Sequence, residues 1–357
     1  MNTTRIDAIA SAVLYEGYML YPYRPSSVKN RQRFNFGVLY PKPYSEAQTG
    51  SDAWSMQTEC LAQGASLSAI EVRVRFLNLV DRSVRKLAEP APPPGGTPVF
   101  ENVPMIEVDG KVFAPWQEAV EREVAVPACN LEALTTTPVE WKFAFPAHEE
   151  LELLHNVNGQ VVGMIARRQE PVEGTIEIKA VSAADGVFKI QVCVKNLTAL
   201  EDAAGHINRD RALMRSLVSA HVLLGVVDGQ FVSLLEPPEN LNGLAATCQN
   251  VGAWPVLVGA EGERNTMLAS PIILYDYPQI APESPGDLFD GTEIDEILAL
   301  RILTMTDDEK SEMRNTDDRA RKILERTESL PMEHLMKLHG TLRELRSELR
   351  PMKEEMP

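Results

Sequence analysis

The chain is poor in the features that usually give a function away. Four cysteines stand in 357 residues, Cys60, Cys129, Cys193 and Cys248, at separations of 69, 64 and 55 positions. No pair has the close spacing of a zinc knuckle or a redox dithiol, and so few thiols in so long a chain imply no disulfide framework. Long apolar runs are missing too. Val222–Val227 and Pro271–Leu274 are far too short to span a bilayer. The first residues place Arg5 and Asp7 before a short apolar stretch, with no signal-peptide pattern. The expectation is a cytoplasmic protein without membrane insertion.

Positive charge is scarce: 35 Lys and Arg stand against 51 Asp and Glu, a net charge of −16. Such a surface repels phosphate, so no nucleic-acid partner is expected. The balance is uneven. Residues 1–86 hold 11 basic and 7 acidic side chains, whereas the remainder holds 24 and 44. A basic front and an acidic back suit contact within one molecule, contact with partners, or two solvated surfaces that never meet.

Phosphate-cradling motifs are absent: there is no Walker loop and no GxGxxG between a strand and a helix. A GxSxG nucleophile elbow is absent as well. No catalytic residue and no cofactor are assigned. The run from His148 to His155 (HEELELLH) contains imidazoles and carboxylates, but neither helix nor strand gives it zincin spacing. It reads as an exposed polar strand end, and no metal site is expected. Cys193, on the polar face of its strand, has Lys195 as its nearest basic neighbour in sequence, too little to argue an activated thiol.

What the sequence does contain is β pattern. Ala12–Tyr23 and Phe34–Tyr44 read as aromatic strands, and Ile70–Leu79 alternates with Val72, Val74 and Phe76 on one face. Glu89–Pro98 (EPAPPPGGTP) reads as a loop. Asp109-Gly110, Asn158-Gly159 and Asp228-Gly229 each suit a two-residue hairpin turn, since both residues of such a turn take positive φ. Gly174–Ser182 and Val187–Asn196 bracket a longer turn at Asp185-Gly186, with Phe188, Ile190, Val192 and Val194 on the apolar face. Asn208–Ala220 reads as a helix capped by Asn208, and a short helix falls around Leu241–Cys248. A last strand pair, Trp254–Val258 and Met267–Tyr275, follows. From Thr292 the pattern is helical, with a capping box at Thr306–Glu309 and Pro331 suited to a first helical turn.

The expected fold is therefore α+β. An antiparallel, β-sandwich-like body spans roughly 1–285, with the Pro/Gly loop near 89–98, and an α-helical C-terminal unit spans 286–357.

Two stretches carry an interaction pattern. Tyr18–Arg33 interleaves Tyr21 and Tyr23 with Arg24, Lys29, Arg31 and Arg33. Arginine clamps carboxylates, and tyrosine supplies rigid amphipathic area. The plainer reading is a solvated loop framed by Pro22 and Pro25. Glu283–Glu296 holds six acidic residues, Glu283, Asp287, Asp290, Glu293, Asp295 and Glu296, and no basic one. Asp290, Glu293 and Asp295 have a structural explanation at the start of a helix; Glu283 and Asp287 do not. These two stretches are the candidate partner-binding surfaces.

Together with Trp254–Gly259 (WPVLVG) and Ser270–Tyr275 (SPIILY), the same stretches resemble a family of uncharacterised bacterial proteins encoded among the accessory genes of high-affinity uptake nickel–iron hydrogenases. The resemblance implies a non-enzymatic accessory or assembly protein whose partner is a hydrogenase subunit or a maturation factor. It implies no catalytic residue. Two rival classes stand beside it: a small-molecule hydrolase or transferase with an unrecognised site, and a structural homo-oligomer.

Overall fold

The computed structural model describes residues 3–15, 37–88, 98–200, 208–279, 299, 302–315 and 318–331. Most of the described chain is antiparallel β-sheet. One strand dominates it: β1 runs for 33 residues, Ser55–Leu87. Its first part, Ser55–Gln63, pairs with β10 (Val187–Asn196), which pairs with β9 (Val172–Ala184), which pairs with β6 (Val139–Phe145). Its middle lies between β11 (Val218–Val232) and β5 (Trp116–Asn130). Its end pairs with β8 (Val161–Gln169) and the short β2 (Phe100–Asn102), and β8 carries the outer strand β7 (His148–His155). On the far side β11 pairs with β13 (Thr266–Ser270), and β13 with β12 (Trp254–Leu257). Among the described residues this sheet has eleven strands, and β3 (Ile106–Val108) and β4 (Lys111–Phe113) form a separate hairpin.

The sheet bends around its apolar face. Val72, Val74 and Phe76 of β1, with Val124 and Val126 of β5, meet Ile176, Ile178, Ile190 and Val192 of β9 and β10 in one buried cluster. Phe76 lies 5.9 Å from both Phe143 and Phe145 on β6, ring centroid to ring centroid. A short helix, α3 (Leu131–Thr136), turns the chain from β5 to β6 and buries Leu131 and Leu134 in the same core. Asn130 caps it by accepting from the Ala133 amide.

The opposite face of β1 and β11 is covered by helices. Helix α1 (Thr3–Tyr15) sets Ile6, Ile9, Ala10 and Val13 against Leu223, Val256, Val258 and Leu268. Beside it, α2 (Lys42–Ala47), α4 (Arg209–Leu213), α6 (Asp307–Arg314) and α7 (Asp318–Glu328) gather over Leu77, Leu79 and Val218. Helix α5 (Asn242–Ala245) follows a short 3₁₀ turn, Glu239–Leu241. The Thr306 capping box forms as its sequence predicts: the hydroxyl accepts from the Glu309 amide, and the Glu309 carboxylate accepts from the Thr306 amide.

Five expectations need correction, one being that the strand read over Met267–Tyr275 ends at Ser270. Ala12–Tyr15 closes helix α1 and is not strand. The strand read over Phe34–Tyr44 reduces, in its described part, to a single bridge at Leu39 before α2, because Pro41 and Pro43 suit a helix start and withhold ladder donors. The helix read over Asn208–Ala220 stops at Leu213, although Asn208 does cap it; the chain from Val218 joins the sheet as β11 instead. Asp228-Gly229 is no hairpin turn. Asp228 has φ 54°, yet β11 runs straight through it as a kink, opposite an excursion of β1 between Gly64 and Ala69.

The other turns hold with two refinements, the first being that the longer turn read at Asp185-Gly186 is a tight one, with Ala184 facing Val187 across those two residues. Asp109 and Gly110, at φ 51° and 77°, make the two-residue turn of the β3–β4 hairpin. At Asn158-Gly159 only Gly159 is at positive φ, and its amide donates to the Asn156 carbonyl, so that hairpin closes on a three-residue loop. The readings at Glu89–Pro98 and in the Pro331 helix lie outside the described residues, except at Pro98 and Pro331 themselves.

Candidate functional site

All ten residues singled out as partner-binding, Tyr21, Tyr23, Arg24, Lys29, Arg31, Arg33, Glu283, Asp287, Asp290 and Glu293, lie outside the described residues. Their described flanks are informative. Gly37, the first described residue after the basic stretch, lies against Pro271, which opens the segment leading to the acidic one. A Cβ added at Gly37 would sit 2.4 Å from the Pro271 ring, and φ there is +52°, so only glycine fits. Tyr15, which precedes the basic stretch, and Ile302, which follows the acidic stretch, belong to one buried cluster.

The segment from Pro271 to Tyr277 is built as a fixed display. Ile272 and Leu274 pack against the α1 cluster. Their alternates face outward: Ile273 is 75% exposed and Tyr275 is 86% exposed. Period-two alternation explains this outcome for an extended chain laid on an apolar surface. Asp276 locks the segment in place. One carboxylate oxygen accepts the Ser233 hydroxyl at 2.5 Å, and the other accepts the Leu257 amide at 2.7 Å. Next to it Tyr277, at φ 56°, donates its amide to the Leu257 carbonyl at 2.7 Å. Trp254 on β12 and Val251 just before it are further exposed apolar side chains on this part of the chain.

Asp276→Ala removes two hydrogen bonds to a carboxylate and frees the display. The expected cost is about 2 to 3 kcal/mol, from the range for hydrogen bonds to charged groups, read as a lower urea midpoint. An unchanged midpoint would mean that Asp276 does not hold the segment.

Elsewhere the ionisable groups pair with one another. Glu118 accepts from Arg82 and from Arg167, each at 3.0 Å, and Arg167 also donates to Glu152 at 2.8 Å. Beneath α1, Arg73 meets Asp7 at 3.4 Å, and Arg75 meets Glu121 at 3.1 Å. Asp52 accepts from Tyr44 at 3.0 Å and from Arg209 at 3.1 Å, with the Arg209 guanidinium over the Tyr40 ring. These carboxylates are engaged in ion pairs, an arrangement that stitches elements together. The thiols are equally quiet. Burial pushes Cys193 above its ordinary range despite Lys195, and pushes Cys248 up to about 11. His148 and His155 stand at the two ends of β7, and no group of three or more metal-ligating side chains forms among the described residues.

Sequence reasoning missed Ile273 and Tyr275 as a display, although packed and exposed side chains alternate from Ile272 to Tyr275. No helix among the described residues is long and apolar enough to cross a membrane. No family model matches the chain, and no curated protein matches it.

Proposed function

We propose that the chain is a non-enzymatic accessory or assembly factor that binds a partner protein. The exposed pair Ile273 and Tyr275 on a clamped segment carries this reading. Large apolar side chains held rigidly in solvent lose little entropy on binding, and tyrosine is favoured at interface anchors. The acidic stretch Glu283–Glu296 continues the same segment in sequence, and the flank of the basic stretch touches its first residue. Together they support one composite contact surface: apolar anchors at Ile273 and Tyr275, with Tyr21, Arg24, Arg31, Arg33, Glu283 and Asp287 tuning encounter.

The resemblance supplies the partner class: a nickel–iron hydrogenase subunit or one of its maturation factors, met in the cytoplasm. This reading takes the bent sheet as a sandwich-like body and the helices after residue 299 as a C-terminal unit. The core shared by Phe76, Phe143 and Ile190 supports the first, and the capped helices α6 and α7 support the second.

Affinity purification from the native host tests the proposal, with captured proteins identified by mass spectrometry. Ile273→Ser/Tyr275→Ser and Arg24→Ala/Arg31→Ala/Arg33→Ala are each expected to lower recovery of the hydrogenase-related partner several-fold. Thermal unfolding should stay unchanged for the exposed pair. Recovery through the arginines should fall as salt rises, since charge is screened beyond about 8 Å at physiological ionic strength. Equal recovery by wild type and both variants would remove this surface from the function.

A further inference from the structure

Strand β7 ends the sheet: among the described residues it pairs with β8 and with no other strand. Seven of its eight residues are exposed. A free strand edge is a row of unpaired amides and carbonyls that templates another strand, and proteins usually guard it with charged side chains (lysine above all), proline, bulges or brevity; the charges on β7 are Glu149, Glu150 and Glu152. His148–His155 contains neither lysine nor proline, and at eight residues it is not short. Two leucines protrude from it instead. Leu151 is 56% exposed and Leu153 is 47% exposed, both on one face by strand alternation. They stand opposite Ala166 and Met164 of β8.

The order of side chains along β7 is complementary to itself. In an antiparallel pairing of two copies about a two-fold axis at Glu152, Leu151 of each chain faces Leu153 of the other. Glu149 of each faces His155 of the other. Residues directly opposite share a face, so two leucine pairs and two carboxylate–imidazole pairs fall on one side of the joined sheet. Glu149 is free to turn toward such a neighbour, since Arg85 holds it only at 3.8 Å. On the other side the two Glu152 carboxylates meet at the axis. Each is already offset by Arg167 of its own chain at 2.8 Å.

Moving the axis to Leu151 sets Glu150 against Glu152 and Glu149 against Leu153, which places like charges opposite and strands a leucine. The Glu152 axis also sets Glu152 against Glu152 and Glu150 against Leu154, so it is favoured by the two leucine pairs and two carboxylate–imidazole pairs that it alone gathers on one face. The single irregularity in the β7–β8 ladder falls between Leu154 and His155, at the end of the strand, and leaves the centre straight.

We propose that β7 is a self-pairing edge: a second copy of this chain adds its own β7 antiparallel, centred on Glu152, and the two sheets become one. This surface is separate in the chain from the Pro271–Tyr277 display, so either proposal stands if the other fails.

The full-length protein is tested by size-exclusion chromatography with light scattering across a dilution series. Wild type is expected at twice the chain mass at the concentrated end. Leu151→Lys/Leu153→Lys is expected at one chain mass throughout, with unchanged circular dichroism and melting temperature, because both side chains are exposed. Register is read by cross-linking. Under mild oxidation Glu152→Cys is expected to yield a reducible covalent dimer in large excess over both wild type, which controls for the four native thiols, and Leu153→Cys, whose new thiol would face a leucine.

A wild type that stays monomeric at every concentration overturns the proposal. So does a lysine variant that still dimerises, or cross-linking that is equal at positions 152 and 153. Should a monomeric wild type capture a foreign protein that the lysine variant does not, the edge belongs to that protein's strand and self-pairing is refuted.

Discussion

Lowering the pH from 7 to 4 is expected to remove about 3 kcal/mol of folding stability through His221 alone, a change of about 1.4 kcal/mol for each pH unit of displaced titration. His221 is fully buried on β11 beneath helix α1. Its Nδ1–H donates to the Ser219 carbonyl at 3.0 Å, and its Nε2 has no hydrogen-bond partner among the described residues. Burial therefore pushes its titration down from 6.5 to about 4, with Arg75 on the opposing position of β1 adding a smaller push in the same direction. Arg75 in turn faces Glu121 and Glu123 and donates to Ser11 of α1.

The sign follows from which state binds the proton. Between pH 6.5 and 4 the unfolded chain protonates His221 while the folded chain resists, so acid favours unfolding. The contribution is fully present above 6.5 and is lost as the pH falls to about 4. Urea unfolding of wild type and His221→Gln at several pH values isolates it, since the carboxylates titrate alike in both. The variant should show the shallower decline. Equal slopes would mean that the imidazole reaches solvent or an acceptor in the folded protein.

How far the sequence spoke for this architecture depends on how local each signal was. Val72, Val74 and Phe76 alternate against Glu71, Arg73 and Arg75, and that period alone places them in the core. Phe188, Ile190, Val192 and Val194 behave in the same way. The failures are failures of context. Asp228-Gly229 carries hairpin chemistry, and positive φ is indeed what Asp228 adopts. Whether such a residue turns the chain or kinks it is decided by Ser68, whose hydroxyl donates to the Asp228 carbonyl from 160 residues away.

Helix α1 was legible in retrospect, because Ile6, Ile9, Ala10, Val13 and Leu14 repeat at three and four. The β-forming run Val-Leu-Tyr at its end concealed it. The length of β1 was not legible. Gly64 to Ser68 reads as a break, yet the chain resumes the same strand because β11 makes room with its own kink. The sites obey the same rule. Glu118 meets partners 36 and 49 positions away, so the register of three strands had to be known before that cluster existed. Leu151 and Leu153 were visible in HEELELLH, but their meaning comes from β7 being last in its sheet.

Replacing Glu118 with alanine is expected to cost about 3 kcal/mol or more, the range for removing one partner of a buried ion pair. Arg82 has a side chain only 6% exposed, and the Glu118 carboxylate accepts from it at 3.0 Å. The Ala114 carbonyl, which accepts from Arg82 at 2.9 Å, remains but carries no net charge. Arg167 suffers less, because it keeps Glu152 and is more exposed. The loss should therefore come from Arg82. That attribution has its own test, since Arg82→Met/Glu118→Leu removes the buried charge together with its partner. Apolar pairs of similar volume often replace buried ion pairs at little cost, so the double variant should recover most of the stability that Glu118→Ala loses. Urea midpoints of wild type, single and double variants decide it. A double variant as unstable as the single one would mean that Arg82 and Glu118 serve the fold through their hydrogen bonds and packing rather than through charge. A single variant within about 1 kcal/mol of wild type, the range of exposed ion pairs, would mean that water reaches Arg82 between β1 and β8.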